Sequence, residues 1–359
     1  MSELFISVLL PCYNCASTLA EAIFSICRQT HKNWELVICD DGSADGSLEI
    51  AKSWAERDHR IRVLPLPHSG ITHTLQLGLE SCRSELVARM DGDDISHPRR
   101  LASQAAFMEA HPDIAVCGTL ARVFPRPSMT LGMERYERWL NSLTEHHEIE
   151  RDIFIESPFV HPSVMFRRSR VLAAGGYCES PWSEDYYLWF RMWLRGEKFA
   201  KVPELLFFWR DQPERLTRTD PRCSHETLRD LKIDMFLRAY YPEYSDDALQ
   251  VEAEDLRRIA SEKRRLFIWG AGPNGKALVK DLKKRGFVPY AYIDIRSDRR
   301  GQIICGIPVY GIDELPPPDG NFLLTAVGNP DSREEIRNYL NDHGWQECRH
   351  YRCTAGISS

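Results

Sequence analysis

Three short apolar runs near the start of the chain each end in polar side chains and are separated by amphipathic helical stretches. The runs at residues 5–10, 34–39 and 86–90 are strand-sized, and Ser17 is a candidate cap for the helix that follows the first. Alternation of strand and helix in this order predicts a parallel sheet within an α/β domain. The residues that end the runs are Pro11, Tyr13 and Asn14, then Asp40 and Asp41, then Asp91, Asp93 and Asp94.

Ligands in open α/β sheets bind outside the carboxyl ends of the strands, so these three endings predict one site. An aromatic ring can stack on a nucleotide base, and a carboxylate can accept from a base imide or a ribose hydroxyl. Three carboxylates within four residues suit a divalent cation that prefers oxygen ligands. Each ending could by itself be an ordinary turn, because Asp and Gly favour turns. Their recurrence at successive strand ends favours a nucleotide-sugar site.

The stretches VLLPCYN, QTHKNWELVICDDGSADGS and ARMDGDDISHPRRL resemble the signatures of family two glycosyltransferases, and the resemblance covers about residues 5–215. It implies a GT-A nucleotide-diphospho-sugar transferase domain. It also implies that Pro11, Tyr13, Asn14, Asp41, Arg89, Asp91 and Asp94 bind the nucleotide sugar, with Arg100 as a further diphosphate neighbour. Asp93 and Asp91 would hold Mn²⁺ or Mg²⁺.

The family's catalytic base is the Asp of a Glu-Asp pair, and SEDYYLW at residues 183–189 resembles that segment. The resemblance assigns the base to Asp185 and places Glu184 and His161 on the acceptor side. An alternative is purely structural, since Glu184 and Asp185 in a first helical turn would favour the helix dipole. Direct displacement with one base implies an inverting reaction. A clean QxxRW motif does not follow the base, and Arg210 or residues 212–215 are candidate substitutes.

A second α/β pattern begins after residue 262. A strand at 266–269 leads into Gly270, Gly272 and Gly275, and Asp294 ends a later strand, as in a dinucleotide-binding fingerprint. The same glycines could serve packing alone. The stretches GQIICGIPVYG and NFLLTAVGN resemble the Rossmann-like N-terminal domain of bacterial sugar acyltransferases. The predicted fold is therefore a GT-A domain at 1–221, a helical linker region at 222–262 and a smaller Rossmann-like α/β domain at 263–359.

Composition and charge argue against a nucleic-acid-binding protein and against a membrane-spanning one. A net charge of −6 argues against a nucleic-acid partner, and no apolar run is long enough to span a bilayer. The 11 cysteines fit reduced thiols in a cytoplasmic protein, with association at the inner face of the membrane left open. Cys12 and Cys15 form a C-x-x-C pair, so dithiol chemistry is a rival hypothesis.

The expected function is metal-dependent, inverting transfer from a nucleotide-diphosphate sugar, with a UDP-sugar favoured as donor. A glycan or lipid-linked acceptor in bacterial surface glycan synthesis follows from the family context. Two alternatives stay open from the sequence: an NAD-dependent oxidoreductase that uses the C-terminal domain, and a non-catalytic sugar-nucleotide sensor.

Overall fold

The fold comes from a computed structural model that describes residues 3–212, 216–244 and 251–354. The chain divides into two compact units. The first unit comprises Met1–Ile149, Pro158–Met192 and Glu197–Asp220, and the second comprises Glu150–Ser157, Trp193–Gly196 and Pro221–Ser359. Two short stretches inside the predicted GT-A range thus belong to the second unit, as does the region predicted to be a linker.

The elements of the first two thirds of the chain alternate strand and helix at the start, as predicted. They are β1 Ile6–Cys12, α1 Ala16–Cys27, β2 Trp34–Asp40, α2 Ser47–Arg57, β3 Ile61–Pro65, α3 Ile71–Ser81, β4 Leu86–Arg89, β5 Ile95–Ser96, α4 Arg100–Ala110, β6 Ile114–Phe124, α5 Leu131–Ser142, α6 His146–Asp152, β7 Met165–Arg167, α7 Arg168–Ala173, α8 Glu184–Leu194, β8 Lys198–Arg210 and α9 Leu216–Thr219.

The strands of the first unit form one sheet of order β3-β2-β1-β4-β7-β6-β8-β5. The first four of these neighbours run parallel, whereas β7 is antiparallel to both β4 and β6. Every residue of β1 and β2 is buried, as expected for parallel strands that are covered on both faces. Cys12 lies opposite Asp40, and Leu9 lies opposite Arg89. The polar segments that follow β1, β2 and β4 therefore lie together at the carboxyl ends of these strands.

The first helix begins at Ala16, so Ser17 is not its cap and that prediction was wrong. Its terminal N–H groups are satisfied from the loop after β2. Asp45 accepts the Ala16 N–H at 2.9 Å, and the Ser47 hydroxyl accepts the Cys15 N–H at 2.9 Å. Capping across two loops ties the end of β1 to the end of β2.

The second unit contains a smaller α/β domain, which confirms the predicted class. Its elements are α10 His225–Tyr240, α11 Glu254–Ser261, β9 Arg265–Trp269, α12 Pro273–Lys284, β10 Ala291–Ile293, β11 Ile303–Ile304, β12 Ile307–Tyr310, β13 Asn321–Thr325, α13 Pro330–Asp342 and β14 Tyr351–Cys353. The sheet order is β11-β12-β10-β9-β13-β14, and all pairs except β11 with β12 are parallel. Strand order reverses between β9 and β13. Within the described ranges, no helix is both long and apolar enough to cross a bilayer.

Candidate active site

Tyr13 and His68 form an exposed aromatic platform at the carboxyl end of β1. Their ring centroids are 4.3 Å apart with an interplanar angle of 19°, and the Tyr13 side chain is 49% exposed. Nδ1 of His68 lies 2.9 Å from an Asp41 carboxylate oxygen. A stacked pair with one open face suits a planar base. Sequence reasoning did not find His68, which lies in the loop after β3.

Asp41 is buried and holds the loop that carries His68. Its carboxylate accepts the Ser69 N–H at 2.8 Å and the Gly70 N–H at 3.0 Å. The Ser69 hydroxyl at 3.4 Å and Nδ1 of His68 at 2.9 Å also contact this carboxylate, so its roughly four lone-pair sites all have partners within the protein. Asp41 therefore has a structural role in this loop, and its predicted contact with the nucleotide stays a prediction.

Asn14 adopts a positive φ of 49°, a conformation that Asn tolerates better than most residues. Its side-chain oxygen accepts the Ala44 N–H at 2.9 Å, and its own N–H donates to the Ser43 hydroxyl at 3.0 Å. Pro11 is buried within β1. Both residues thus shape the edge of the sheet beside Tyr13.

Asp91, Asp93 and Asp94 lie close enough together to share one cation. One carboxylate oxygen from each lies within 4.8 Å of the others. Gly92 permits this tight turn, because a Cβ there would meet the Cys15 sulfur at 2.7 Å. Three oxygen ligands fit the preference of Mn²⁺ or Mg²⁺ for hard donors.

Arg89 links the acidic cluster to the sheet. The guanidinium is almost fully buried, is paired with Asp91 and donates to the Met90 carbonyl at 2.9 Å. Burial alone would lower the pKa of Arg89, but the Asp91 carboxylate outweighs burial and raises it. Arg89 is therefore a permanent positive charge beside the cluster.

Arg100, by contrast, is fully buried and faces main-chain carbonyls. Its guanidinium donates to the Arg89 carbonyl at 2.7 Å and to the Gln104 side chain at 3.0 Å. Burial lowers the pKa of Arg100 to about 9. These contacts give Arg100 a structural role under the site and leave no surface for a diphosphate.

Arg210 and Gln212 reach the acidic cluster from the end of β8. The Arg210 main-chain N–H donates to the Asp94 carboxylate at 2.7 Å, and its Nε donates to the Asp93 carbonyl at 2.6 Å. The Gln212 amide donates to the Asp93 carboxylate at 3.4 Å. Two of the candidates for the absent QxxRW motif thus contact the proposed metal ligands, and residues 213–215 lie outside the described ranges.

His161 and Tyr177 form a buried pair next to Glu184. Nε2 of His161 lies 2.8 Å from the Tyr177 hydroxyl, and Nδ1 lies 3.8 Å from a Glu184 oxygen. Burial, with a smaller contribution from the charge of Arg89, holds the pKa of His161 well below its ordinary value. The imidazole is therefore neutral near pH 7. Tyr177 carried no signal in the sequence.

Asp185 lies in the first turn of α8, half-buried, next to Glu184. Burial raises the pKa of Tyr177, Arg89 opposes the rise, and the carboxylates of Glu184, Asp185 and Asp91 add to it. The Tyr177 hydroxyl therefore lies in the field of carboxylates from both the first turn of α8 and the acidic cluster.

Cys12 and Cys15 are free thiols beneath this edge. A hydrogen bond with Cys15, burial and the nearby Asp40 carboxylate all raise the pKa of Cys12. A thiol with a raised pKa forms little thiolate, which is the reactive form. Cys12 therefore lacks the electrostatic setting of a reactive thiolate.

The predicted ligand loop of the second unit is accounted for largely by packing. Gly270 has a φ of +99°, and a Cβ on Gly275 would meet the Gly270 carbonyl oxygen at 1.8 Å. A Cβ on Gly272 would lie 4.0 Å from Nη1 of Arg299, an ordinary contact distance. The Asp294 carboxylate accepts the Ala271 N–H at 2.7 Å and pairs with Arg299 at 2.8 Å.

Sequence comparison identifies the family of the first unit. Residues 7–176 match the model of glycosyl transferase family 2. The chain is 36% identical over 220 residues to "Putative glycosyltransferase EpsE" of Bacillus subtilis, covering 59% of this chain and 75% of that protein. It is 34% identical over 204 residues to "Amylovoran biosynthesis glycosyltransferase AmsE" of Erwinia amylovora, covering 56% and 74%.

Solved structures share the fold at low sequence identity. S. aureus TarS 1-349 in complex with UDP-GlcNAc aligns with a TM-score of 0.54 and 17% identity, covering 79% of this chain and 80% of that one. Mannosyltransferase PcManGT from Pyrobaculum calidifontis, in complex with GDP-Man and Mn²⁺, aligns with a TM-score of 0.50 and 17% identity, covering 78% and 73%. These likenesses confirm the predicted GT-A fold. Together with the strand-end geometry, the sequence matches establish that this chain is a glycosyltransferase and belongs to glycosyl transferase family 2.

Proposed function

We propose that the enzyme transfers a sugar from a nucleoside diphosphate donor to an acceptor hydroxyl with inversion at the anomeric carbon. Asp185 is the base, and the donor diphosphate lies against the acidic cluster, whose Asp91 is held from the buried side by Arg89. The observation that carries this assignment is the approach of the Asp91, Asp93 and Asp94 carboxylates to within 4.8 Å of one another beside Arg89. The segment SEDYYLW, which resembles the base-bearing segment of the family, supports Asp185. A base and a diphosphate site must flank the same anomeric carbon in a single displacement.

Asp91, Asp93 and Asp94 are the residues that would hold Mn²⁺ or Mg²⁺. Support comes from their mutual approach within 4.8 Å and from the Mn²⁺ in the mannosyltransferase structure. When bound, the ion supplies Lewis-acid stabilisation of the charge that develops on the departing diphosphate. Gln212 donates to Asp93, and Arg210 donates to Asp94 through its main-chain N–H, so the two residues orient these carboxylates.

The chain's own residues supply the rest of the chemistry. Asp185 takes the proton of the acceptor hydroxyl as the oxygen bonds to the anomeric carbon. The bond from that carbon to the diphosphate breaks, and its electron pair leaves with the nucleoside diphosphate. Because His161 is neutral, it does not place a second positive charge beside Arg89.

The donor class that we favour is a UDP-sugar, bound with its base on the open face of Tyr13. The TarS complex with UDP-GlcNAc supports this choice through the shared fold. The name of the amylovoran relative supports an acceptor in bacterial surface glycan synthesis, either a glycan or a lipid-linked sugar. A lipid-linked acceptor would bring the enzyme to the cytoplasmic face of the membrane.

An oxidoreductase on the second unit has less support. Gly270 and Gly275 are needed for the turn and its packing, and Asp294 is bonded within the loop. The residues that would bind the ribose and pyrophosphate of NAD are therefore already used in the turn and in hydrogen bonds within the loop.

The test is a transfer assay with the full chain, offering UDP-GlcNAc, UDP-Gal and GDP-Man to simple glycosides and to polyprenyl-diphosphate-linked N-acetylhexosamine. Release of nucleoside diphosphate is measured with and without Mn²⁺, and proton NMR gives the anomeric configuration of the product. We expect one donor to react with inversion and to require the metal. A product with retained configuration would reject Asp185 as the base of a single displacement.

A further inference from the structure

Arg210, the last residue of β8, contacts the turn that carries the acidic cluster at two points. Its main-chain N–H donates to the Asp94 carboxylate at 2.7 Å, and its Nε donates to the Asp93 carbonyl at 2.6 Å. Any residue with a main-chain N–H could make the first bond, whereas the second bond needs a guanidinium in one orientation. The position of the Asp93 main chain therefore depends on the direction of the Arg210 side chain.

Two further contacts set the direction of the Arg210 guanidinium. It lies over the ring of Phe124, 4.6 Å from the centroid, and its Nη2 donates to a carboxylate oxygen of Glu21 at 2.5 Å. Nε and Nη2 present their N–H groups along the same edge of the planar guanidinium, with a fixed angle between them. Once Glu21 holds Nη2, the Nε–H group points at the Asp93 carbonyl.

Glu21 lies on the face of α1 that supports the acidic turn. Thr18 precedes it by three positions in the helix, and residues at this spacing are neighbours on a helix surface. The Thr18 hydroxyl donates to the Gly92 carbonyl at 2.9 Å. One face of α1 therefore holds two successive carbonyls of the turn, that of Gly92 directly and that of Asp93 through Arg210.

The charge of Glu21 acts in the same direction as its position. The Arg210 guanidinium is a positive charge beside a cluster of carboxylates that suits a divalent cation, and like charges repel. Pairing with Glu21 offsets that repulsion. The Arg210 side chain is 20% exposed and that of Glu21 is 55% exposed, so water screens the pair and its effect is modest. Glu21 therefore adjusts the affinity for a cation without being one of its ligands.

We propose that Glu21 is a positioning residue for the cation site. It holds the Arg210 guanidinium, which holds the main chain of Asp93 where the carboxylate of that residue joins the rest of the acidic cluster. This inference rests on the proposed role of the cluster in binding Mn²⁺ or Mg²⁺. It adds that helix α1, which begins next to the base-binding edge, also supports the metal ligands.

Binding of Mn²⁺ to the full chain, measured apart from sugar transfer, tests the role of Glu21. Mn²⁺ is titrated at a saturating concentration of UDP, or of GDP if the wild type binds GDP more tightly, and the free ion is counted from its EPR signal against a blank without protein. Glu21→Ala removes the carboxylate, whereas Glu21→Gln keeps an oxygen that can accept from Arg210. Glu204→Gln is the matched control, because Glu204 is also a partly exposed carboxylate paired with an arginine, Arg99, at 2.8 Å.

We expect Glu21→Ala to raise the dissociation constant of Mn²⁺ about fivefold and Glu21→Gln to raise it about twofold, each at an unchanged melting temperature. Glu204→Gln should stay within about 1.5-fold of the wild type. In an Arg210→Gln background, Glu21→Ala should add less than about 1.5-fold, because Glu21 acts through Arg210.

Three results would overturn the role of Glu21: wild-type affinity in Glu21→Ala, an equal loss in Glu21→Gln or Glu204→Gln, and an undiminished loss on top of Arg210→Gln. In those cases the proposed cation site would still stand if Asp93→Asn weakened Mn²⁺ binding at least about tenfold. Absence of Mn²⁺ binding by the wild type, or wild-type affinity in Asp93→Asn, would reject the cation site and this inference together.

Discussion

The Tyr13 ring stacks on His68 while His68 contacts the buried carboxylate of Asp41. One face of Tyr13 is thus covered by the protein, and the other is open to solvent. The arrangement fixes the ring before any donor arrives, because the loop that carries His68 is held by hydrogen bonds from Ser69 and Gly70 to Asp41. A preorganised ring loses little freedom when a base stacks on it.

Tyr13→Ala should raise the KM for the donor about tenfold, since stacking of a base on an aromatic ring contributes about 1–3 kcal/mol. Tyr13→Phe keeps the ring and should stay within about twofold of the wild type. His68→Ala should give an intermediate KM because Tyr13 loses its support. Initial rates against donor concentration provide the measurement, and an unchanged KM in Tyr13→Ala would place the base elsewhere.

Asp185→Asn should lower kcat by about a hundredfold or more while the dissociation constant of the nucleoside diphosphate stays the same, because only the proton acceptor is lost. Asp113→Asn, an exposed carboxylate remote from the strand ends, is the matched control and should retain full turnover. A sensor without catalysis would instead show no turnover in the wild type. Wild-type kcat in Asp185→Asn would reject the assignment of the base.

Asp93→Asn should weaken donor binding and should shift the Mn²⁺ concentration for half-maximal activity upward by about tenfold or more, because one anionic ligand becomes neutral. Gln212→Ala should produce a smaller shift in the same direction, as it removes only a bond to Asp93. Metal titrations of the transfer rate check both variants. Identical titration curves for Asp93→Asn and the wild type would show that the ion binds elsewhere.

Gly275→Ala should destabilise the second unit by about 3 kcal/mol, because the new Cβ would overlap the Gly270 carbonyl oxygen. Gly272→Ala should change stability by less than about 0.5 kcal/mol, since its φ is −77° and a Cβ would make only an ordinary 4.0 Å contact with the Arg299 side chain. Urea unfolding compares the two. Equal stabilities would mean that the glycine pattern does not serve packing.

Stability of the first unit should fall in mild acid because of His161. Its pKa in the folded protein is far below the ordinary 6.5, so below pH 6.5 the unfolded chain takes up a proton that the folded chain does not. Between pH 7.5 and 5.5 this costs about 1.4 kcal/mol of unfolding free energy. His161→Gln should lose that part of the pH dependence in urea unfolding. A parallel fall in wild type and variant would contradict the assignment.

Strand ends were predictable because apolar runs of strand length stop abruptly at Pro11, Asp40 and Asp91. The residues that contact these strand ends could not be predicted from the sequence. His68 and Tyr177 lie in loops whose positions depend on how distant elements pack, and neither carries a local pattern. The cap of α1 was not predicted for the same reason, since Asp45 accepts the Ala16 N–H from another loop.

The second unit was predicted from residue 263 onward, but its core also draws on residues far upstream. Phe154 and Trp193 pack edge to face at 5.3 Å, and they contact Phe236 and Tyr240 respectively. The two upstream segments are only eight and four residues long and mix charged with apolar residues, so no change of composition marks a boundary. Only the three-dimensional contacts assign them to the second unit.

Because the second unit includes two segments that lie within the first two thirds of the sequence, the two units cannot be separated by one cut in the chain. A cut after Asp220 would leave Phe154 and Trp193 without the aromatic partners of α10, and the Arg352 guanidinium would lose the Glu150 carbonyl that it binds at 2.6 Å. Recombination between relatives at that point would expose the rings of Phe154 and Trp193 to water unless the new module covered them. An exchange of the C-terminal module would therefore have to include, or re-adapt, residues 150–157 and 193–196 as well.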